Sequence, residues 1–577
     1  MDKLAEEQLR RYDDLVTKRK AERDNDWQII AAYSLPQDSN ITTQKTEGIS
    51  GWTDLIFDTT TIHAMETLAS GLGNWWTPPN QPWAEYGAPD EIKQDEHAGA
   101  DEATSWLGKA SEKAMRELGR SNFYMTKGMG DTGLAVFATD LILVDESNSG
   151  RDLFNFVHCK IGTYVIEEDY RGIVDTVRRE IEMTYRQICQ MFDQPGDNIP
   201  QKMADQCKGA KGPQKKLKVI HCIFPREDSD RLPKRRDGAN KPIASVYISF
   251  EFKECIRTSG YDESPILCRR FKKWATAWGY GPGYLALPDA RQVNYVQQYL
   301  DALAELHAYP RTQIPDSLDG DVDMRAGGAT VVNGDDMARG VMPKEWATVG
   351  DYKLGVEMQE QRRQAIRDAC YVDAFKLLNS QPLLEKEMTA YEISQRQAEQ
   401  LHGLTAVDSR TIPEFINPLM QRIFGIMFRA GKLKNPPESL YQEAGDGKKG
   451  LVMPAIVVTS RFNDALRALK NRGTEETVKF LMPMTEQKPE LWDNFDLDDM
   501  AVGYAENTGM SPSSIRKKTG PNSVAAIRQQ RAQMQAAQRQ AQLAEMLGKA
   551  GKGLGGSPQF MQDAVKDAMP GAKGQAA

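Results

Sequence analysis

The sequence predicts an α+β chain, and three observations carry that expectation. Short β-type runs cluster between residues 140 and 270. Amphipathic helical patterns precede and follow them, and two long helical stretches bracket a Gly- and Asp-rich insertion of about forty residues. At 577 residues the chain is too long for one ordinary core and is expected to divide into several packed units.

Residues 3–33 read as a charged amphipathic helix carrying Leu9, Leu15, Trp27 and Ile30, stopped before Leu35-Pro36. A second helix is predicted over Asp58–Gly71, capped by Asp58 or Thr59. The stretch Asn74–Trp83 holds three prolines, which argue against regular structure, and three tryptophans. Those tryptophans either pack onto the local core, the commoner fate of so large an apolar surface, or form a contact surface. Helical pattern returns over 101–119 and 121–138. Strands are predicted at 140–144, 154–159, 164–168 and 173–181, with Gly172 turning the last two into a hairpin. A helix near Thr184–Phe192 and strands at Lys218–Phe224 and Ile243–Phe252 complete the β-rich part. The basic runs Lys208–Lys216 and Arg231–Asp237 lie between strands, and their Gly and Pro content favours solvated loops over contacts with DNA or an acidic partner.

The chain is organised around Arg269–Pro310. Gly279, Gly281, Pro282 and Gly283 interrupt regular structure, and Asp289 stands where a helix N-cap belongs. Val293, Val296, Leu300 and Leu303 then recur at steps of three and four, while Arg291, Gln298, Asp301 and Glu305 face away. The result is a rod of about 30 Å, stopped at Pro310. A second rod, Val349–Leu378, places Leu354, Met358, Ala365, Ala369 and Val372 on one stripe, with Gln361, Arg362, Arg363, Arg367 and Asp373 outside it. The insertion between the rods carries β-type residues at Ala329–Val332 and reads as a small module at the tip of a two-helix stalk.

Residues 379–387 break the pattern, which resumes over Met388–His402 and again over 411–431, ended by Gly431. Leu451–Thr459 reads as a strand, with short helices at Asn463–Arg472 and Glu475–Leu481. The run Ser523–Ala550 is helical but too poor in large apolar residues to bury much alone, so identical neighbours would stabilise it. Residues 551–577 are expected to be disordered.

Composition narrows the function. A formal charge of −8 excludes the basic character of a tight duplex binder. Seven cysteines without C-x-x-C spacing fit reduced thiols, and no apolar run is long enough to span a membrane, so a soluble protein without a secretory signal is expected. No G-x-x-x-x-G-K-[ST], H-E-x-x-H or G-x-S-x-G motif occurs, and no catalytic, cofactor or metal residue is assigned. The triple Asp319, Asp321, Asp323 lacks the closing glutamate of a calcium loop, because Thr330 occupies that position.

The Trp-containing segment before Gly279–Gly283, Ala286–Asp289, Asn294 and Pro310 together resemble the head-to-tail connector, or portal, proteins of short-tailed double-stranded DNA phages. Trp27–Pro36, Phe57–Thr60, Leu68–Leu72, Arg179–Gln187 and Met388–Ile393 agree with it in the same order, from about Arg11 to Arg531. The resemblance implies a ring subunit with a β-rich wing (1–285) and a first stem helix (286–310). A clip (311–345), a second stem helix (346–378) and a channel loop (379–388) would follow, then linking helices (389–450), a crown (451–512) and a C-terminal barrel helix (513–550). It further implies a homo-dodecamer at one vertex of the virion, assembled in the host cytoplasm, through which double-stranded DNA is packaged and ejected. Asn379, Gln381 and Lys386 would approach that DNA. Arg311, Asp319, Asp321, Asp323 and Arg325 would form the clip surface that receives terminase and then tail adaptor proteins. Capsid, scaffolding and internal core proteins are further implied partners. Another structural tail or capsid protein, or a DNA-packaging enzyme, is the alternative.

Overall fold

The computed structural model describes residues 3–308 with breaks at 39, 42–55, 90–97, 148–151, 193–196, 209–211 and 228–236. It then describes 312–314, 335, 338–340, 344–345, 352–375 apart from 374, most of 409–507, and 524–553. The chain divides into two compact units, one of residues 1–87, 109–436 and 453–479, the other of 88–108, 437–452 and 480–577.

The first unit mixes helices with antiparallel sheets, as the α+β expectation requires. It opens with α1 (Lys3–Arg19), a π turn at Lys20–Asp24, and α2 (Asn25–Ser34), where the sequence predicts one uninterrupted helix. The wider turn brings Arg19 onto Asp24, five residues on, with Nε 3.0 Å from Oδ1, and Arg19 also donates to the Tyr164 carbonyl. α3 (Thr60–Trp76) runs five residues past the predicted end. Trp75 and Trp76 fit in its last turn because the prolines begin only at Pro78. Trp76 and Trp83 are buried, so the tryptophans serve the core.

After β1 (Ala84–Gly87), α4 (Ala98–Arg120) and α5 (Phe123–Phe137), the strands follow: β2 (Thr139–Glu146), β3 (Phe154–Cys159), β4 (Tyr164–Glu168) and β5 (Val174–Thr184). α6 (Tyr185–Met191) begins with a capping box between Thr184 and Gln187, and α7 (Gln201–Gln206) is short. β6 (Lys216–Pro225), β7 (Ile243–Ser249), β8 (Glu254–Tyr261), β9 (Ile266–Arg270), β10 (Lys272–Lys273) and β11 (Gly279–Tyr280) come next. β4 to β8 form a five-stranded sheet in sequence order, and β3-β2-β9 a three-stranded one. The predicted hairpin is present, with Gly172 at φ +79° in its turn. β8 and β9 carry weak alternation and were not expected. α1 lays Ala5, Leu9 and Tyr12 on Ile220, Val246 and Ile248 of the larger sheet. The main core gathers Trp27, Leu68, Leu72, Phe271, Trp278 and Phe375.

α8 (Pro282–Ala308) starts seven residues before the expected N-cap, and β12 (Thr312–Gln313) pairs with β13 (Lys344–Glu345). α9 (Tyr352–Ala369) is shorter than the predicted rod; Tyr371, at φ +54°, stands just beyond its end. A π turn at Ile412–Ile416 leads into α10 (Asn417–Arg429), which supplies Phe415, Leu419 and Ile423 to the interior. In the second unit, β14 (Tyr441–Ala444) and β15 (Lys448–Leu451) make an unpredicted hairpin. β16 (Ala455–Val458) pairs with β1 in the first unit. The two short helices expected after residue 462 are one, α11 (Arg461–Thr485). α12 (Leu497–Asn507) and α13 (Val524–Gly553) are joined by Arg528 donating to both carboxylate oxygens of Asp498.

Candidate functional site

The long helices α8 and α9 lie antiparallel and in contact. Gly355 faces Leu300 so closely that a Cβ there would sit 2.8 Å from Leu300 Cδ2. Gln359 donates to Gln297, and Arg362 Nη1 reaches Asp289 Oδ1 at 2.9 Å. Asp289 therefore struts the pair instead of capping a helix; Pro282, whose missing N–H costs nothing in a first turn, starts α8 instead.

The glycine motif sets this pair on the body. A Cβ on Gly279 would lie 1.9 Å from the Ala138 carbonyl oxygen, and one on Gly283 1.9 Å from that of Val136. The chain passes flush against the end of α5, and only glycine fits there.

At the root, Asn294 Oδ1 accepts the backbone N–H groups of Phe57 and Asp58 at 2.8 and 3.0 Å, while its amide donates to the Ala290 carbonyl. Asp58, buried, accepts from Thr60 N at 2.8 Å, and from Arg363 Nε and Nη2 at 2.9 and 2.7 Å. Burial pushes the Asp58 carboxyl up, but the bonds from Thr60 and Arg363 outweigh it and hold it below the usual carboxylate range. One carboxylate thus caps α3 and fastens α9.

Val293 and Leu300 of α8 are buried, while Arg291, Gln298, Asp301 and Glu305 are exposed, as the periodicity requires. On α9 the expected stripe holds only toward its end, where Ala369 packs on the core and Val372 is buried; Leu354 and Met358 are 56% and 46% exposed, and Gln359, Ile366 and Cys370 face inward instead. Tyr295 and Tyr299, 60% and 58% exposed, stack edge to face on α8 at 4.6 Å with Leu285 also in the open. Each helix thus carries apolar residues exposed on a second face among the described residues.

Beneath the pair, Arg269 bridges Asp131 (2.6 Å) and Asp140 (2.6 Å) inside the core, Lys127 donates to Asp131 at 2.6 Å, and His158 stands 3.2 Å from Asp140. Burial pulls the Arg269 guanidinium down, but the two carboxylates raise it well above its usual value. Arg270 ties four segments through Glu168, the Gly172 and Ala277 carbonyls, and Glu414.

The expected channel-loop residues Asn379, Gln381 and Lys386, and the clip residues Arg311, Asp319, Asp321, Asp323 and Arg325, lie outside the described residues, as does the basic run 231–236. In the other basic run, Lys208 pairs with Asp205 at 2.5 Å and Lys215 bonds Gln206, both exposed. Among the described residues no group of three or more His, Cys, Asp or Glu is placed to hold a metal ion, and no helix is long and apolar enough to cross a membrane. Sequence reasoning used Asn294 only as a motif residue and missed its bond to the Asp58 segment. Asp58 and Arg363 stand 305 residues apart, a distance no local pattern bridges.

The model of a family described as bacteriophage head to tail connecting protein matches residues 5–515. The portal protein of Salmonella phage epsilon15 is 28% identical over 550 residues, covering 93% of each chain. A probable portal protein of Bordetella phage BPP-1 is 28% identical over 570 residues, covering 97% of each. Among solved structures, a chain of the virion of a native gene transfer agent particle aligns at 9% identity and a TM-score of 0.32. It covers 82% of this chain and 98% of that one, too slight a likeness to carry an argument.

Proposed function

The chain belongs to the family of bacteriophage head-to-tail connecting proteins, and from that premise we propose that it is a portal protein. Twelve copies form a ring at the head–tail vertex of the virion, assembled in the host cytoplasm. The observation that carries this reading is likeness to portal proteins over nearly the whole chain, and the uncovered apolar faces of α8 and α9 support it. Exposed apolar residues on both helices of the pair suit a contact between neighbouring copies repeated around a closed ring. In such a ring the paired helices line the bore, and double-stranded DNA enters and leaves through it.

The insertion around Asp319, Asp321, Asp323, Arg311 and Arg325 receives a terminase that drives packaging, and later the tail adaptor proteins. Asn379, Gln381 and Lys386 meet the DNA. Capsid and scaffolding proteins hold the outer surface, and an internal core can rest above. The protein acts as conduit and assembly nucleus and catalyses no reaction. Native mass measurement with negative-stain images tests the reading. Twelve chains of 64.7 kDa give a particle of about 776 kDa with an open centre wide enough for a duplex. A monomer or closed dimer at every salt concentration overturns it.

A further inference from the structure

The stretch Asn74–Trp83, which the ring does not explain, forms one wall of a groove between α3 and α5 whose open volume is about 390 Å³. Ser70 and Gly73 of α3 and Asp131 of α5 also line it. One end is rich in hydrogen-bond donors that have no acceptor. Lys127 is 3% exposed, and its ammonium, with three N–H groups, bonds only Asp131, leaving two donors unspent. Thr77 is 2% exposed, and its Oγ1 is buried without any partner. Tyr124, half-buried, accepts the Trp83 indole N–H at 3.3 Å and keeps its own hydroxyl proton to donate. Buried polar groups are satisfied in nine cases of ten or more, so the orphan Thr77 hydroxyl and the two unspent Lys127 N–H groups in one lining point to a missing acceptor.

We propose that this groove is a binding site for a carboxylate, seated between Lys127, Thr77 and Tyr124. The chemistry follows from the count of groups. Asp131 is shared between Lys127 and Arg269, and Asp140 is spent on Arg269, so Lys127 has only part of one carboxylate. Two ammonium N–H groups and two hydroxyls remain for an incoming acceptor, and an anion bonds such donors about twice as strongly as a neutral carbonyl does. Burial, only partly offset by Asp131, pushes the Lys127 ammonium below its usual value, and a second carboxylate beside it would restore the charged form.

Glu66 lines the groove eleven positions before Thr77, roughly 16 Å along α3, and repels a second negative charge at that end. A monocarboxylate is therefore favoured over a long dicarboxylate. The acid is either a free small carboxylate or a glutamate or aspartate side chain presented by a peptide segment.

Calorimetric titration of the full-length protein separates these sources. The probes are acetate and the capped peptide Ac-Ala-Glu-Ala-amide, each beside its neutral twin, acetamide or the glutamine peptide. We expect one site per chain, with binding at least about tenfold weaker for the neutral twins. Thr77→Val, which deletes the orphan hydroxyl with little change of shape, weakens it by about tenfold; Lys127→Met abolishes it. Binding of acetate identifies a free acid as sufficient, and binding of the peptide alone identifies a peptide-borne one. Equal affinity for acid and neutral twin, no binding of any probe, or an unaltered Thr77→Val protein overturns the proposal. None of these outcomes depends on ring formation, so the site and the portal reading fail separately.

Discussion

The root and the outer length of the α8–α9 pair are the same two helices under opposite physical regimes. At the root, Asn294, Asp58 and Arg363 are interlocked and at least two-thirds buried, and each polar group has a partner inside the chain. Tyr295, the residue directly after Asn294 but on the opposite face, stands in the open, as do Tyr299, Met358 and Leu354 within about three turns of the joint. The joint is satisfied within the described residues, whereas the exposed apolar residues are not covered by them. Substitutions in the buried joint and on the exposed faces should therefore fail in different ways.

The largest effect is expected where the glycine motif meets the body. Gly279→Ala places a methyl 1.9 Å from a carbonyl oxygen that cannot retreat, and should cost about 3 kcal/mol or more in urea unfolding, or prevent folding. Next comes the root. Arg363→Ala strands the buried Asp58 carboxylate and should cost about 2 kcal/mol, less than a fully buried pair because Arg363 is partly exposed. The same joint predicts a pH dependence. Asp58 titrates below its unfolded value, so its contribution is complete above roughly pH 4 and fades as pH falls through the lower, folded value. The stability gap between wild type and Asp58→Asn should therefore narrow in acid; a constant gap would mean the joint is not electrostatic.

On the outer length, Leu354→Ser with Met358→Ser should leave the unfolding free energy of the dissociated chain within about 0.5 kcal/mol, yet abolish the large particle in native mass measurement. A variant that still assembles would move the subunit contact elsewhere. The smallest structural effect belongs to Lys386→Glu, which should leave fold and ring mass unaltered while DNA packaging or retention falls. Normal packaging would remove Lys386 from the channel.

The contrast also explains what the sequence disclosed. Periodicity located both rods and placed Val293 and Leu300 on the buried side. It also identified Leu354 and Met358 as an apolar stripe, but a stripe shows only that a face is apolar, not which neighbour covers it. The α8 start was misplaced because Asp289 has the chemistry of a cap, and its use as a strut depends on Arg362, 73 residues away. The hairpin at Gly172 was legible since its strands and turn are contiguous. The Arg269 network joins three elements across 129 and 138 residues, and its members look like ordinary surface charges until the fold assembles them.

The π turn at Lys20–Asp24 has a consequence for how the gene can vary. α1 faces the five-stranded sheet and α2 the main core, and the widened turn sets the angle between those faces. Each residue of an α-helix advances the face by about 100°. Loss of a single codon inside this turn would swing Ala5, Leu9 and Tyr12 away from the sheet, although every one of them would still be encoded. In-frame length at this point is thus under tighter constraint than the identity of its exposed residues.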